Sequence, residues 1–301
     1  MTDALRPALS ERRSNGRRES KGVLYVVATP IGNLEDMTLR AIRILKLVQL
    51  VAAEDTRRTG ILLRHFDIDT PILSVHEHNE RARVERIVGR LTKAESVALV
   101  TDAGTPGISD PGAALVAAVR AAGFTVEPIP GASAVAAAIS ASGITSQGFT
   151  FLGFPPIRGK DRKQWFTDAT ESAKRRLVVF FEAPHKLLKT IEELGHYVKR
   201  PIIIGREITK IHEEFVQGTS EELVERFATP YGEFTVMIPP EGLQETGVKI
   251  TSEREVLDLF GHVTNLKAAT TKREVARMVG ERFGMTAKQV YEIVERNKLV
   301  E

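Results

Sequence analysis

An acidic residue followed by a glycine-rich loop is a candidate binding site in this sequence. Residues 97–112, VALVTDAGTPGISDPG, begin with a short apolar run that is typical of a strand covered on both faces of a parallel sheet. Asp102 follows this run, where it would face a ligand amine or hydroxyl, and the glycines would let the backbone approach that ligand closely. The alternative is a plain connection to a helix predicted from Ala113 to Ala122, with Asp110 as its N-cap and Pro111 as its first residue.

Signals for other kinds of site are weak or absent. His76-Glu77-His78 places two histidines on one face of a strand, but no third ligand is visible, and polar residues at a strand end are the alternative. The P-loop pattern is missing, and no dinucleotide-binding glycine pattern follows the first strand. The sequence has no cysteine, which excludes disulfides, a cysteine nucleophile and cysteine–metal sites. We therefore expect no metal site.

The positive charge of the chain is concentrated in its N-terminal tail. The formal net charge is +3, and residues 1–21 alone carry six Lys or Arg against three Asp or Glu. We predict that this tail is disordered, and it lacks the apolar core of a secretory signal. No apolar run is long enough to span a membrane. We expect a cytoplasmic protein, with which the absence of cysteine is compatible.

A nucleic-acid-binding surface on the rest of the chain must be local, because the charges there balance. Residues 158–176 carry seven Lys or Arg against three Asp or Glu. This stretch is either a solvated amphipathic helix or a patch that faces RNA.

Strands and helices alternate from Gly22 to Ala141, which predicts a mostly parallel α/β sheet. Polar or Gly/Pro clusters follow four of the strands, at Pro30, at residues 54–57, at residues 102–107 and at residues 130–133. Because parallel strands end at a common edge, we expect these clusters to form one cleft.

After Gly148 an aromatic strand segment ends in two prolines at residues 149–156. From there we predict a second α/β domain with antiparallel strand pairs. A last segment contains two capping boxes, Thr271–Glu274 and Thr286–Gln289, which predict a helix-turn-helix-like pair. Binding in a nucleic-acid groove, dimerisation and a structural role remain open for this pair of helices. The predicted organisation is a tail at 1–21, α/β domains at 22–150 and 151–240, and a helical segment at 250–301.

Nine motifs in order resemble the family of ribosomal RNA small subunit methyltransferase I, whose fold is tetrapyrrole-methylase-like. The resemblance covers about residues 22–240, and the C-terminal segment is also similar to that of the family. The motifs are VVATPIGNLEDMTLRA (26–41), AAEDTRRTG (52–60), HEHNE (76–80), TDAGTPGISDPG (101–112), PGASA (130–134), FLGFPP (151–156), FFEAPHKL (180–187), REITKIHEE (206–214) and GEFTVMI (232–238).

The resemblance implies two α/β domains with S-adenosylmethionine in the cleft between them, and usually a homodimer. It also implies 2′-O-methylation of a cytidine ribose, with 16S rRNA or the assembled small ribosomal subunit as the partner. Two alternatives remain open: a tetrapyrrole C-methyltransferase of the same fold, and a non-catalytic RNA-binding protein. The basic stretch and the C-terminal helices favour RNA over a small macrocycle.

The resemblance also implies a set of site residues. The cofactor would be lined by Pro30, Asp102, Gly104, Pro106, Ile108, Ser133, Ala134, Phe154 and Thr235. A ribose hydroxyl needs help to lose its proton, and candidate groups at strand ends are Glu54, Asp55, His78, Glu182 and His185. Arg57 and Arg206 could position phosphates. We hypothesise that Glu54, Asp55 and Glu182 frame the RNA side of the cleft.

Overall fold

The computed structural model describes residues 21–76, 79–241, 253–266, 271–283 and 286–298. Residues 1–20 of the predicted tail (1–21) and the candidate His78 lie outside these ranges. The described chain forms two compact units, of which one holds two β-sheets and the other holds three C-terminal helices. In the described ranges no helix combines the length and the apolar character needed to cross a bilayer.

The first sheet is parallel throughout, as the alternation of strands and helices predicts. Its strands lie in the order β3-β2-β4-β1-β5. They are β1 (Val23–Val27), β2 (Leu50–Ala53), β3 (Ile72–Ser74), β4 (Val97–Val100) and β5 (Thr125–Ile129). Every residue of β2 and β4 is buried, which agrees with their unbroken apolar sequences. Because all five strands run the same way, their carboxyl ends share one edge of the sheet.

Helices cover both faces of this sheet. They are α1 (Leu39–Leu47), α2 (Thr56–His65), α3 (Glu80–Thr92), α4 (Ala113–Ala121) and α5 (Ala134–Ala141). Alternate strand residues enter different cores: Val51 and Ala53 pack in the same core as residues of α1 and α2, whereas Leu50 and Ala52 pack with residues of α3 and α4.

The start of α4 differs from the sequence prediction. Gly112, and not Asp110, is its N-cap, with φ at 122°. A Cβ at this position would lie 2.8 Å from a methyl carbon of Leu99, so the site requires glycine. Glycine has no side chain with which to cap the helix. Instead, the buried carboxylate of Glu80 accepts a hydrogen bond of 2.6 Å from the backbone N–H of Leu115.

The second sheet mixes parallel and antiparallel pairs. Its strands are β6 (Phe149–Phe151), β7 (Leu177–Glu182), β8 (Ile202–Arg206), β9 (Glu214–Gly218) and β10 (Phe234–Ile238). They lie in the order β6-β7-β10-β8-β9, so the last strand in the sequence is central. β10 is antiparallel to both β7 and β8, which confirms the antiparallel pairing predicted for this half.

Three further helices accompany the second sheet: α6 (Gly159–Ser172), α7 (Pro184–Gly195) and α8 (Ser220–Arg226). Phe166 of α6, Leu187 of α7 and Leu223 of α8 pack against Phe180 and Val236 from the sheet. This core is separate from the two cores of the first sheet.

The C-terminal unit contains α9 (Glu253–Leu266), α10 (Lys272–Phe283) and α11 (Ala287–Lys298). The sequence analysis predicts only the last two, from the capping boxes at Thr271 and Thr286. The box at Thr271 is confirmed: its N–H donates to Glu274, whose N–H donates to the Thr271 hydroxyl. The second box depends on the side chain of Gln289, which lies outside the described part of the chain. Val256, Val275 and Val290 bring the three helices to one core.

We expect Glu80→Ala to lower the free energy of unfolding by about 1–3 kcal/mol, because it leaves the buried N–H of Leu115 without an acceptor. Urea unfolding followed by circular dichroism measures the change. Glu85→Ala, on the exposed side of the same helix, is the matched control and should stay within about 0.5 kcal/mol of wild type. Equal losses in the two variants would contradict the assigned role of Glu80.

Candidate active site

A cavity of about 370 Å³ lies between residues of the two sheets. The first sheet contributes the loop after β4 and the start of α5, and the second contributes Phe154, the end of β7 and the start of β10. The volume falls in the range of small-molecule sites. The lining residues are Ile31, Ala103–Thr105, Ile108–Asp110, Ser133–Val135, Phe154, Phe181–Pro184 and Gly232–Thr235.

Backbone hydrogen bonds position the glycine-rich loop after β4. The N–H of Thr29 donates to the carbonyl of Gly104 at 2.9 Å, and the N–H of Gly104 donates back to Thr29 at 3.0 Å. Gly104 has φ at 76°, which favours glycine, and a Cβ there would already be in contact with Ile31. The hydroxyl of Thr105 donates to the carbonyl of Ala132 at 3.3 Å. The loop is therefore fastened to the segments that follow β1 and β5.

The cluster at residues 54–57 joins the same edge through Asp102. Its carboxylate accepts a hydrogen bond of 3.1 Å from the backbone N–H of Asp55, beyond the end of β2. Its other oxygen lies 3.2 Å from the guanidinium of Arg58. The four polar clusters that the sequence predicts at strand ends thus meet at one edge of the sheet. The carboxylate of Asp102 is engaged with this edge and is outside the cavity lining.

The structure brings most of the predicted cofactor residues around the cavity. Gly104, Ile108, Ser133, Ala134, Phe154 and Thr235 all line it. Two others, Pro30 and Pro106, are buried next to lining residues and are not part of the lining.

Asp110 lines the cavity, although the sequence analysis treats it as a helix cap. Burial first, and then the neighbouring carboxylate of Glu54, raise the pKa of Asp110 to about 6, while hydrogen bonding with Thr101 acts in the opposite direction. The signal that could have identified Asp110 is its place as the second acid in one glycine-rich loop.

The candidates after β2 have structural partners. Asp55 caps α2, where its carboxylate accepts a hydrogen bond of 2.8 Å from the N–H of Arg57, and this bond lowers the pKa of Asp55. The side chain of Arg57 is 90% exposed. Burial, followed by the charge of Asp102, raises the pKa of Glu54. None of these three candidates is among the residues that line the cavity.

Glu182 ends β7 and lines the cavity, but it is only 3% exposed. One carboxylate oxygen accepts from the N–H of Ala183 at 2.8 Å, and the other accepts from the hydroxyl of Thr190 at 2.5 Å. The guanidinium of Arg162 donates to Thr190 at 3.0 Å and to Glu193 at 2.7 Å. Glu182 therefore belongs to a buried polar network between α6 and α7.

The remaining candidates of the second sheet lie away from the cavity. His185 is exposed at the start of α7, outside the cavity lining. Arg206 is 8% exposed, pairs with Glu214 at 2.6 Å and stacks 3.6 Å from the ring centre of Tyr231. The expectation that Arg206 positions phosphates is not supported by this inward placement.

The residues that line the cavity include acidic side chains and no basic side chain. Asp110, Glu182 and Glu233 contribute carboxylates, and the lining residues include no Lys, Arg or His. The local field therefore favours a cationic ligand and disfavours phosphate groups. Among the described residues, no group of three His, Cys, Asp or Glu has an arrangement that could hold a metal ion.

The basic stretch forms α6 and the turn after it. Arg162 faces inward, at 5% exposure, and is neutralised by Glu193. Lys174 pairs with Glu171. The exposed basic residues of this stretch are Arg158, Lys160, Lys163, Lys174, Arg175 and Arg176.

A second contact between the two halves of this unit lies beside the cavity, where residues 207–210 meet Asn33. The N–H of Asn33 donates to the hydroxyl of Thr209 at 3.2 Å. Glu207 and Thr209 both have positive φ, at 50° and 70°. The ammonium of Lys210 lies between the carboxylates of Glu207 and Glu233, at 2.8 and 3.0 Å.

Comparison with known proteins identifies the family of the chain. Residues 23–224 match the model of the tetrapyrrole (corrin/porphyrin) methylases. A Synechocystis protein named ribosomal RNA small subunit methyltransferase I is 41% identical over 90% of this chain and 97% of its own length. The Halalkalibacterium halodurans protein of the same name is 42% identical over 95% of this chain and 99% of its own.

Solved structures agree on the fold. The uroporphyrin-III-C-methyltransferase of Thermus thermophilus superposes with a TM-score of 0.52 at 20% identity, over 72% of this chain and 94% of that protein. At this identity the likeness concerns the fold alone. The family match and the relatives together show that the chain belongs to the tetrapyrrole methylase family and, within it, to the family of ribosomal RNA small subunit methyltransferase I.

Proposed function

We propose that this protein transfers a methyl group from S-adenosylmethionine to the ribose 2′-hydroxyl of a cytidine in small-subunit ribosomal RNA. The observation that carries the proposal is the acidic, cation-free cavity at the carboxyl edge of the first sheet, in a chain whose relatives are named as methyltransferases of that RNA. A sulfonium is a cation, and the charge of the lining suits it.

The cofactor would lie against the glycine-rich loop and the start of α5. Backbone groups around Gly104 and Ser133 would bind its amino-acid part, and the apolar side chains of Ile108 and Phe154, with Thr235, would hold its adenosine. When bound, S-adenosylmethionine supplies an electrophilic methyl group whose leaving group is a neutral thioether. The protein then has to place the 2′-oxygen in line with that methyl group and accept the hydroxyl proton.

The RNA backbone would be bound outside the cavity. The exposed Lys and Arg of residues 158–176, and Arg57 at the edge of the first sheet, supply positive charge for phosphates. The acidic lining of the cavity repels phosphates, so the RNA backbone would stay outside while one ribose hydroxyl reaches the methyl group. We propose naked 16S rRNA or the assembled small subunit as the substrate.

We expect methyl transfer to small-subunit RNA. Protein, methyl-labelled S-adenosylmethionine and either small subunits or naked rRNA from a strain lacking the enzyme are incubated, and the RNA is digested to nucleosides. Label in 2′-O-methylcytidine at one position is the expected result. Label in uroporphyrinogen III supplied in a parallel reaction, with none in RNA, would overturn the proposal that RNA is the substrate. Failure to bind the cofactor at all would favour a non-catalytic RNA-binding protein.

We expect Phe154→Ala to weaken binding of S-adenosylmethionine about tenfold, or about 1.4 kcal/mol, because it removes an apolar wall of the cavity. Isothermal titration calorimetry measures the Kd. The matched control is Phe149→Ala, because Phe149 is 51% exposed and Phe154 is 53% exposed, but Phe149 does not line the cavity. Equal Kd values for the two variants would remove Phe154 from the cofactor site.

We also propose a cytoplasmic homodimer. Leu39 of α1 is 87% exposed and Ile61 of α2 is 60% exposed, and these are the apolar side chains that we propose the partner chain covers. Light scattering coupled to size exclusion should give twice the mass of the chain, and replacing both residues with Glu should give the monomer. A monomeric wild-type protein at micromolar concentration would contradict this proposal.

A further inference from the structure

We propose that the side chain of Tyr231 is a stacking platform for a base of the RNA substrate at the mouth of the cavity. The inference rests on the proposed function, because it says how a nucleotide is held while its ribose, or that of its neighbour, is methylated. Tyr231 is outside the cavity lining, so this role is separate from binding of the methyl donor.

Tyr231 stands at the rim of the cavity. It directly precedes Gly232, the first lining residue of the segment that leads into β10. Across the second sheet, Phe234 is paired with Glu182 of β7 on one side and with Arg206 of β8 on the other. Glu182 and Phe234 line the cavity, so Arg206 lies one strand farther out, at a spacing of about 4.8 Å. A base at this position therefore belongs to the reacting nucleotide or to its immediate neighbour.

A buried guanidinium holds the ring of Tyr231 from one face. The Cζ atom of Arg206 lies 3.6 Å from the centre of the ring. Hydrogen bonds fix this guanidinium, because its Nε donates to the carbonyl of Tyr231 at 3.0 Å and its Nη1 donates to Glu214 at 2.6 Å. A ring that is already fixed loses little conformational freedom when a ligand stacks on it, which favours binding.

The rest of the ring is open to solvent. Tyr231 is 59% exposed even though Arg206 lies against it. An aromatic ring that is supported on one face and open on the other is suited to stacking against an unpaired base. Because the ring adjoins the cavity in which an RNA ribose reacts, a base of that RNA fits this position better than a second copy of the chain.

The charged groups near the ring neutralise one another. Arg206 and Arg226 both pair with Glu214, at 2.6 and 2.7 Å. Glu233, two residues after Tyr231, pairs with Lys210 at 3.0 Å. These ion pairs leave little surplus positive charge for a phosphate, whereas a nucleobase is flat and uncharged at neutral pH. The surroundings of the ring therefore suit a base rather than the RNA backbone.

We expect Tyr231→Ala to raise the KM for small-subunit RNA about tenfold with kcat unchanged, because a stacked base contributes equally to the bound and the reacting complex. Methyl transfer at a series of RNA concentrations measures both constants. The Kd for S-adenosylmethionine should equal that of the wild type. The matched control is Phe149→Ala, since Phe149 is 51% exposed and begins β6, at the end of the sheet away from the cavity. An unchanged KM in Tyr231→Ala would overturn the proposal.

Two further substitutions separate stacking from apolar contact. Tyr231→Phe keeps the ring and should keep the KM of the wild type. Tyr231→Leu keeps an apolar side chain without a flat face and should behave like Tyr231→Ala. A Leu variant with the KM of the wild type would contradict stacking.

Fluorescence reports the contact without activity. The sequence contains one tryptophan, Trp165, so the wild type supplies a baseline. In Tyr231→Trp, naked small-subunit rRNA should quench the added indole fluorescence, because a base stacks on it. In Phe149→Trp the added fluorescence should be unchanged. Equal responses of the two variants would contradict a base on Tyr231.

These outcomes separate the inference from the proposed function. A wild-type protein that methylates no RNA would refute the proposed function. A wild-type protein that methylates RNA, together with a Tyr231→Ala variant of equal KM, would refute only the role of Tyr231. A dimeric wild type and a monomeric Tyr231→Ala protein in light scattering would place the ring in a subunit interface and would also overturn the inference.

Discussion

Thr29 and Gly104 exchange two backbone hydrogen bonds just beyond the ends of β1 and β4. This pair sets the course of the loop that follows β4, because it fixes the chain immediately after the strand. Thr105 then bonds to Ala132, and Asp110 lies further along the same loop on the cavity wall. This backbone pair, with the Thr29 hydroxyl that donates to the carbonyl of Thr101 at 3.1 Å, thus sets the course of the loop that carries the acidic group.

Much of the first sheet follows from elementary patterns. Unbroken apolar runs such as Val97–Val100 become strands buried on both faces, and the parallel order places their polar followers at one edge. The cleft was predictable for this reason: Asp55 and Asp102 are 47 residues apart, yet both follow strands that end at the same place. Six of the cofactor residues implied by the family resemblance surround the cavity.

The parts that could not be predicted depend on partners distant in sequence. No sequence pattern near Gly112 indicates that Glu80, 35 residues before Leu115, accepts a hydrogen bond from the first turn of α4. The sequence therefore favoured Asp110 as the N-cap. Glu182 and Arg206 looked available at strand ends, but Thr190 and Glu214 engage them inside the protein. The helix α9 is not among the predicted elements, and the structure shows it packed with α10 and α11. Charge and glycine spacing indicate an edge of the sheet, whereas contacts inside the folded protein decide which acids line the cavity.

The place of β10 in the second sheet has a consequence for biosynthesis. β10 is the last strand of its sheet to be translated, yet it is inserted between β7 and β8. Until it is added, the strands on either side have no shared partner, and the wall formed by Gly232–Thr235 does not exist. A nascent chain that stops before β10 contains all strands of the first sheet but lacks the central strand of the second and the cavity wall at Gly232–Thr235. A ligand that contacts both sheets in this cavity would therefore stabilise only a chain that includes β10.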